Sequence, residues 1–329
     1  MSNTILLDDV NIVSAICGPN DANLKVIENS LGGHLSMRGL ELHFVPPSTS
    51  AEESSQKEDQ FKHIIDSLGL AVAEGETPTP EYTKSLCDTS KENCDFSGTK
   101  KIRSSLIEIP HGFTKIFARG TNQSDYVEGM RKCEICFCVG PAGTGKTFLA
   151  IAYALSLVLN RKIRKLVLTR PVVEAGESLG FLPGDLAQKI NPYLRPLYDA
   201  MESLIPYNLI ARMDDSKQIE IAPLAYMRGR SLNDAFIILD EAQNTTKEQM
   251  KMFLTRLGNN SRAVITGDTT QVDLPKRQAS GLLHAITILN NPNFNSDGIH
   301  FSYLNSNDVV RHPLIKKIIE AYENERNEN

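Results

Sequence analysis

The sequence predicts an α/β protein built on a mainly parallel sheet and preceded by a small α+β domain. Three observations carry that expectation. From about Ile107 onward, short apolar runs alternate with helical patterns, the mark of a parallel sheet covered on both faces. Inside that region, Gly140-Pro141-Ala142-Gly143-Thr144-Gly145-Lys146-Thr147 matches G-x-x-x-x-G-K-[ST] in full. Residues 1–74 carry a separate mixed pattern, set apart by the polar stretch 75–106.

In the first region, Ile5 to Cys17 contains apolar stretches, and Gly18-Pro19-Asn20-Asp21 makes a turn that can cap a helix. Leu24, Ile27 and Leu31 then fall at helical spacing, and Gly32-Gly33 ends that helix. Leu35 to Val45 holds two strands turning near Arg38-Gly39. Ala51 to Leu70 predicts a second helix with Phe61, Ile64, Ile65 and Leu68 on one face. The order β-α-β-β-α suits a small module. Residues 75–106 contain Pro78 and Pro80 and little periodicity, so a polar linker open to disorder is expected there.

Composition narrows the function. With 329 residues the chain can bury a full core beside a smaller one, and 41% apolar and 23% charged residues are those of an ordinary soluble protein. A net charge of −5 argues against a chain basic throughout and leaves room for a local basic groove. No apolar run reaches the ~18–20 residues of a membrane span, and the start lacks a signal core, so a cytoplasmic protein is expected. Cys133-x-x-Cys136 has no second zinc-spaced pair after it. Cys136 and Cys138 read as small buried side chains on a strand, and no disulfides are expected in a reducing compartment.

Ile135–Val139 predicts a buried strand entering the glycine-rich loop, and Thr147–Leu159 a helix leaving it with its positive end toward the loop. Such a loop wraps backbone N–H groups around the α- and β-phosphates of a nucleotide. Lys146 reaches the β/γ-phosphates and the Thr147 hydroxyl sits on Mg²⁺. The chain is therefore expected to bind a nucleoside triphosphate. A strand at Ala235–Leu239 ends in Asp240, placed to hold Mg²⁺ with Thr147, and in Glu241, the natural base for a water attacking the γ-phosphate. A nucleotide kinase must keep water away and needs no such base.

Further polar groups follow other strands. After Ala263–Thr266, Asp268 or Gln271 is positioned to sense the γ-phosphate, with a locally bonded turn as the alternative. Thr245 and Glu248 read as a capping box for a helix whose Met250, Phe253, Leu254 and Leu257 form a core stripe. After Lys165–Thr169, Arg170 can grip a nucleic-acid phosphate or form an internal ion pair. The Pro-, Gly- and aromatic-rich run 180–198 reads as an ordered functional loop in which Tyr193, Arg195 and Tyr198 stack bases or pack the loop. Arg311, ahead of a terminal helix starting near Leu314, is a candidate γ-phosphate arginine in cis or on a neighbour's site. Arg228 and Arg230 are rivals, and a surface ion pair is the plain alternative for each.

The runs 140–147, 168–185, 222–244 and 266–275 together closely resemble the PhoH-like ATPases over roughly residues 107–325. The resemblance implies a RecA-like P-loop core related to superfamily 1 helicases, using ATP and Mg²⁺ in the cytoplasm. It implies Gln123, in Thr121-Asn122-Gln123, as the adenine reader. Asp240 and Glu241 become the Mg²⁺ and hydrolysis pair, Gln271 the γ-phosphate sensor and Arg311 the arginine finger. Residues 17–39 look like part of the small KH-like domain of longer bacterial members, which suggests RNA, although no G-x-x-G clamp is present (Gly32-Gly33 is not one). Such relatives are associated with an rRNA-maturation endoribonuclease and ribosome biogenesis. About 180 residues follow the phosphate loop, enough for one RecA-like core and not two. Translocation would then require a homo-oligomer, a ring such as a hexamer. The alternative is a nucleotide-switched adaptor that recruits RNA or a nuclease without unwinding.

Overall fold

The protein is described by a computed structural model covering residues 3–7, 9–47, 50–73, 77–90, 105–110, 113–171, 186–275, 278–291, 294 and 296–309. It forms two compact units, Met1–Glu108 with Lys115–Asp125 and Ile109–Thr114 with Tyr126–Asn329. Among the described residues no helix is long and apolar enough to cross a membrane.

The first unit runs β1 (Asn3–Leu6), α1 (Val10–Cys17), α2 (Ala22–Leu31), β2 (His34–Arg38), β3 (Glu41–Val45), α3 (Ala51–Ala73) and α4 (Pro80–Ser90). The strands form an antiparallel sheet in the order β1-β3-β2. Arg38 pairs with Glu41, which places the hairpin turn at Gly39-Leu40 as the sequence predicts. Leu42 and Phe44 alternate inward from β3 and meet Ile16, Ile27, Phe61, Ile64 and Leu68 in one core. Burying each such side chain contributes about 1.5–3 kcal/mol.

Two helices here escape the sequence reading. Helix α1 starts where the Asp9 carboxylate accepts the Asn11 N–H (2.9 Å), and it buries Val13, Ile16 and Cys17. Helix α4 lies inside the stretch expected to be a linker. The Thr79 hydroxyl accepts the Tyr82 N–H (3.3 Å), Pro80 takes the first helical position, and Tyr82, Leu86 and Cys87 enter the core. The prolines that suggested a linker mark a helix start instead. Residues 91–104 lie outside the described residues.

Short strands β4 (Ile107–Ile109) and β5 (Thr114–Ile116) pair with each other, and helix α5 (Thr121–Lys132) follows. The second unit then alternates β6 (Ile135–Val139), α6 (Lys146–Leu159), β7 (Lys165–Arg170), α7 (Leu186–Glu202), α8 (Tyr207–Asp215), β8 (Ile219–Pro223), β9 (Ala235–Leu239), α9 (Lys247–Leu254), β10 (Arg262–Gly267), α10 (Gly281–Leu289) and β11 (Ile299–Tyr303). All six strands are parallel, in the order β11-β6-β10-β9-β7-β8. Strand β9 is buried along its whole length, as a central strand covered on both faces must be. Cys136 and Cys138 are buried on β6, Cys17 and Cys87 are buried in the first unit, and Cys133 is half-buried.

Two local expectations shift. The cap of α9 is Thr246 with Gln249, one residue beyond the Thr245–Glu248 pairing, because the Thr245 hydroxyl is buried and donates to the Ala242 carbonyl (2.7 Å). Residues 186–198 belong to helix α7 and not to a loop. Leu194, Leu197 and Met201 recur at helical spacing and are buried, which outweighs the proline content of the run. Residues 172–185 lie outside the described set, as do Arg311 and the helix expected from Leu314.

Candidate functional site

In a parallel sheet the strand C-termini open onto one crevice. Here that edge gathers Gly140 after β6, Arg170 at the end of β7, Asp240 after β9 and Asp268 after β10. Gly143 and Gly145 hold positive φ values of 82° and 83°, which L side chains rarely adopt, and α6 begins at Lys146 directly behind them. The Thr144 hydroxyl, fully buried, ties the loop by donating to the Pro141 carbonyl (2.8 Å). Lys146 Nζ curls back onto the Gly140 and Pro141 carbonyls at 2.6 and 2.8 Å. Burial pushes the Lys146 ammonium below its ordinary value, against the opposing pull of Cys138, Asp268, Glu241 and Asp240.

The acid pair is built by strand register. Ile265 pairs with Leu239, so the next residues, Thr266 and Asp240, lie side by side. Asp240 Oδ1 accepts the hydroxyls of Thr266 (2.8 Å) and Thr147 (2.6 Å). Thr169 pairs with Leu239 on the other flank, which brings Arg170 beside the acids. Arg170 Nη2 bonds Glu241 Oε1 at 2.8 Å, Nη1 donates to the Tyr193 carbonyl at 3.1 Å, and Nε stands 4.0 Å from Asp240 Oδ2. Gln243 Nε2 takes the other Glu241 oxygen at 2.5 Å, and its own Oε1 accepts the Asp268 N–H (3.0 Å). Glu241 sits at φ 52°, a strained value for a non-glycine residue, and Arg170 and Gln243 hold its carboxylate from two sides.

A cavity of about 220 Å³ lies between these groups. Gly143, Lys146, Thr147, Asp240, Glu241 and Gln271 are among its walls. Asp268 also lines it, with Oδ1 accepting from Thr270 and a buried Oδ2 that has no hydrogen-bond partner among the described residues. An orphaned carboxylate oxygen beside a lysine and an Asp–Thr oxygen pair suits a triphosphate with its hard divalent cation. Thr147 and Asp240 would hold the Mg²⁺, and the loop of residues 140–147 the phosphates.

The structure thus brings the phosphate loop, Asp240, Glu241, Asp268 and Gln271 together. Gln271 is exposed at the rim. Gln123 belongs to the first unit, where it is buried and its side-chain oxygen accepts the Arg119 N–H (2.8 Å). Of the rival arginines, Arg230 forms a two-pronged ion pair with Glu220 and Arg228 is exposed. In the run 180–198, Tyr193 supplies a carbonyl to Arg170, Arg195 pairs with Asp199 (2.7 Å), and Tyr198 is partly buried. The site contributions of Gln243, Thr266 and Tyr126, whose hydroxyl donates to the Lys146 carbonyl (3.1 Å), were absent from the sequence reading. Only Gln243, three residues after Asp240, carried a local signal.

A strand, phosphate loop and helix, with an acid pair two strands away on the same edge, define a RecA-like P-loop domain. The PhoH-like protein family matches residues 115–323. A PhoH-like protein of Mycobacterium bovis is 45% identical over 318 residues, covering 95% of this chain and 85% of its own length. Those of Synechocystis sp. and Bacillus subtilis are 42% and 43% identical, covering 98% and 94% of this chain and 95% and 93% of their own. The chain belongs to the PhoH-like family, a P-loop NTPase family.

Proposed function

We propose that this chain is a Mg²⁺-dependent ATPase that acts on RNA, in helicase-like remodelling, RNA processing or ribosome biogenesis. The observation that carries the hydrolytic part is Glu241, fixed by Arg170 and Gln243 beside the Thr147–Asp240 pair. Lys146 exchanges its loop carbonyls for phosphate oxygens, which are better partners for an ammonium. Bound Mg²⁺ supplies charge neutralisation at the phosphates. Glu241 accepts the proton of the attacking water, while Arg170 and Gln243 set the direction of its carboxylate. Gln271, at the rim, orients that water or the γ-phosphate, and Gln123 reads the adenine.

The RNA part rests on the family resemblance and the KH-like N-terminal pattern. One six-stranded core among the described residues favours action as a cytoplasmic homo-oligomer, with Arg311 completing a neighbour's site. The same core also suits a second reading, an adaptor that binds ATP and recruits RNA or an endoribonuclease without unwinding.

Turnover of ATP measured with and without single-stranded RNA, alongside an unwinding assay, tests these readings. Stimulation with unwinding supports the first, stimulation alone the adaptor, and phosphate transfer to an acceptor other than water would revive a kinase. Arg311→Ala is expected to keep ATP binding and lose hydrolysis, with wild-type specific activity rising with protein concentration. Concentration-independent turnover would remove the oligomer from the proposal.

A further inference from the structure

The opposite edge of the same sheet, where the strands begin, carries a different chemistry. Register puts Asp234, Arg164 and Lys217 at one level across β9, β7 and β8, while Glu134 and Arg262 lie side by side across β6 and β10, level with Phe236 two residues further along β9. The starts of these five adjacent strands span four strand spacings, roughly 19 Å. Two open cavities flank the start of β9. One, of about 550 Å³, is lined by Lys162, Arg131, Arg262, Asn259 and Asn260, and the other, of about 670 Å³, by Arg164, Lys165, Lys217, Ser231 and Asn233.

The charges along this edge are unevenly matched. Arg161, Lys162, Arg164 and Lys217 are exposed and have no carboxylate partner among the described residues. Of the acids nearby, Glu220 is taken by Lys165 and Arg230, and Asp234 accepts from Asn260 (2.9 Å). Glu134 is exposed in the wall of the first cavity. In a chain of net charge −5, a cluster of unpaired cations is a local field of opposite sign.

We propose that this N-terminal edge of the sheet binds the phosphate backbone of single-stranded RNA, separately from the nucleotide crevice. The proposal rests on the RNA part of the function given above. Unpaired lysine and arginine interleaved with asparagine amides match a sugar–phosphate chain, and this edge of the sheet is long enough for several consecutive phosphates. A protein partner is the poorer fit. The apolar side chains that line the first cavity, Tyr153, Leu157, Ile163 and Leu257, are buried or half-buried and none lines the second, so the surface offers few exposed apolar anchors of the kind on which protein interfaces depend.

The test titrates a labelled oligouridine with the full chain across a range of salt. The combined Lys162→Glu, Arg164→Glu, Lys217→Glu variant is expected to bind at least tenfold more weakly. Its log–log salt slope is expected to be smaller by about 2, at ~0.7 per phosphate contact. Its ATP turnover without RNA and its melting temperature should match wild type. As a control for net charge, Lys247→Glu, Lys251→Glu, Arg212→Glu makes the same change elsewhere and should bind as wild type does. Equal weakening by both variants, or by neither, overturns the proposal and leaves the RNA reading standing. A wild-type chain that does not bind RNA overturns both. Should the reversed variant fail to fold, Lys162→Gln with Lys217→Gln must still lose about threefold, at ~0.7 of a slope unit per contact removed, and unchanged affinity would overturn the proposal equally.

Discussion

The C-terminal edge of the six-stranded sheet and its N-terminal edge are made by the same strands, yet they treat charge in opposite ways. At the C-terminal edge nearly every polar group is engaged. Asp240 takes two hydroxyls, Glu241 is held by Arg170 and Gln243, and Lys146 is spent on its own loop. At the N-terminal edge Lys162, Arg164 and Lys217 are exposed and have no carboxylate partner among the described residues. A site that must place one atom for chemistry has to fix its side chains in advance. A surface that holds a mobile polyanion needs only charge within reach, and fixing it would cost side-chain entropy for little gain.

Substitutions can break this contrast, and the largest effect belongs to Glu241. Glu241→Gln keeps the shape and the Arg170 contact but cannot accept a proton, so turnover should fall by about 10²–10⁴-fold with ATP binding retained. A steady-state phosphate-release assay with a nucleotide-binding titration checks both. Arg170→Ala should come next, at about 10²-fold in turnover, because the carboxylate loses one of its two guides. Arg170→Lys should recover little of that, since a point ammonium cannot bond Glu241 and the Tyr193 carbonyl as the planar fork does. If Arg170→Ala turned over ATP normally, the fixed character of this edge would be an accident of packing.

The charge-reversed N-terminal edge should behave in the opposite sense, losing RNA and sparing basal turnover. The smallest expected effect is at Glu220, the acid that ties up Arg230 and Lys165 on that same side. Arg230 first, and Lys165 after it, hold the Glu220 carboxyl below the usual range, while burial opposes them. Its contribution is therefore present at neutral pH and lost as pH falls through that lowered value. Glu220→Gln should cost about 1 kcal/mol or less at pH 7 for a partly exposed pair, and the deficit should close on acidification. Denaturant melts at several pH values check this. RNA affinity should rise a few-fold, since two more cations are released, roughly one salt-slope step each.

Much of this molecule is legible in local sequence. The phosphate loop is a contiguous run whose glycines, lysine and threonine act within a few residues of one another. Strands β6, β7, β9 and β10 announce themselves as apolar runs, since a strand buried on both faces has no polar side. Helix α4 is not legible locally because Thr79-Pro80 is equally a turn signal and a helix start, and only the packing of Tyr82 and Leu86 into the first core resolves it. Helix α7 is hidden for the same reason, since its prolines mask a stripe of Leu194, Leu197 and Met201.

By itself, then, the sequence determined that a phosphate loop of this pattern exists and which strand carries the paired acids. Those features depend on neighbours in the chain. The tertiary structure alone decided that Arg170 closes on Glu241 across 71 positions, that Thr266 shares Asp240 with Thr147, and that Arg164 and Lys217 start their strands side by side. The physical reason is register. In a parallel sheet, residues far apart in sequence become neighbours by the alignment of strands, and no local pattern encodes which level of one strand meets which level of the next.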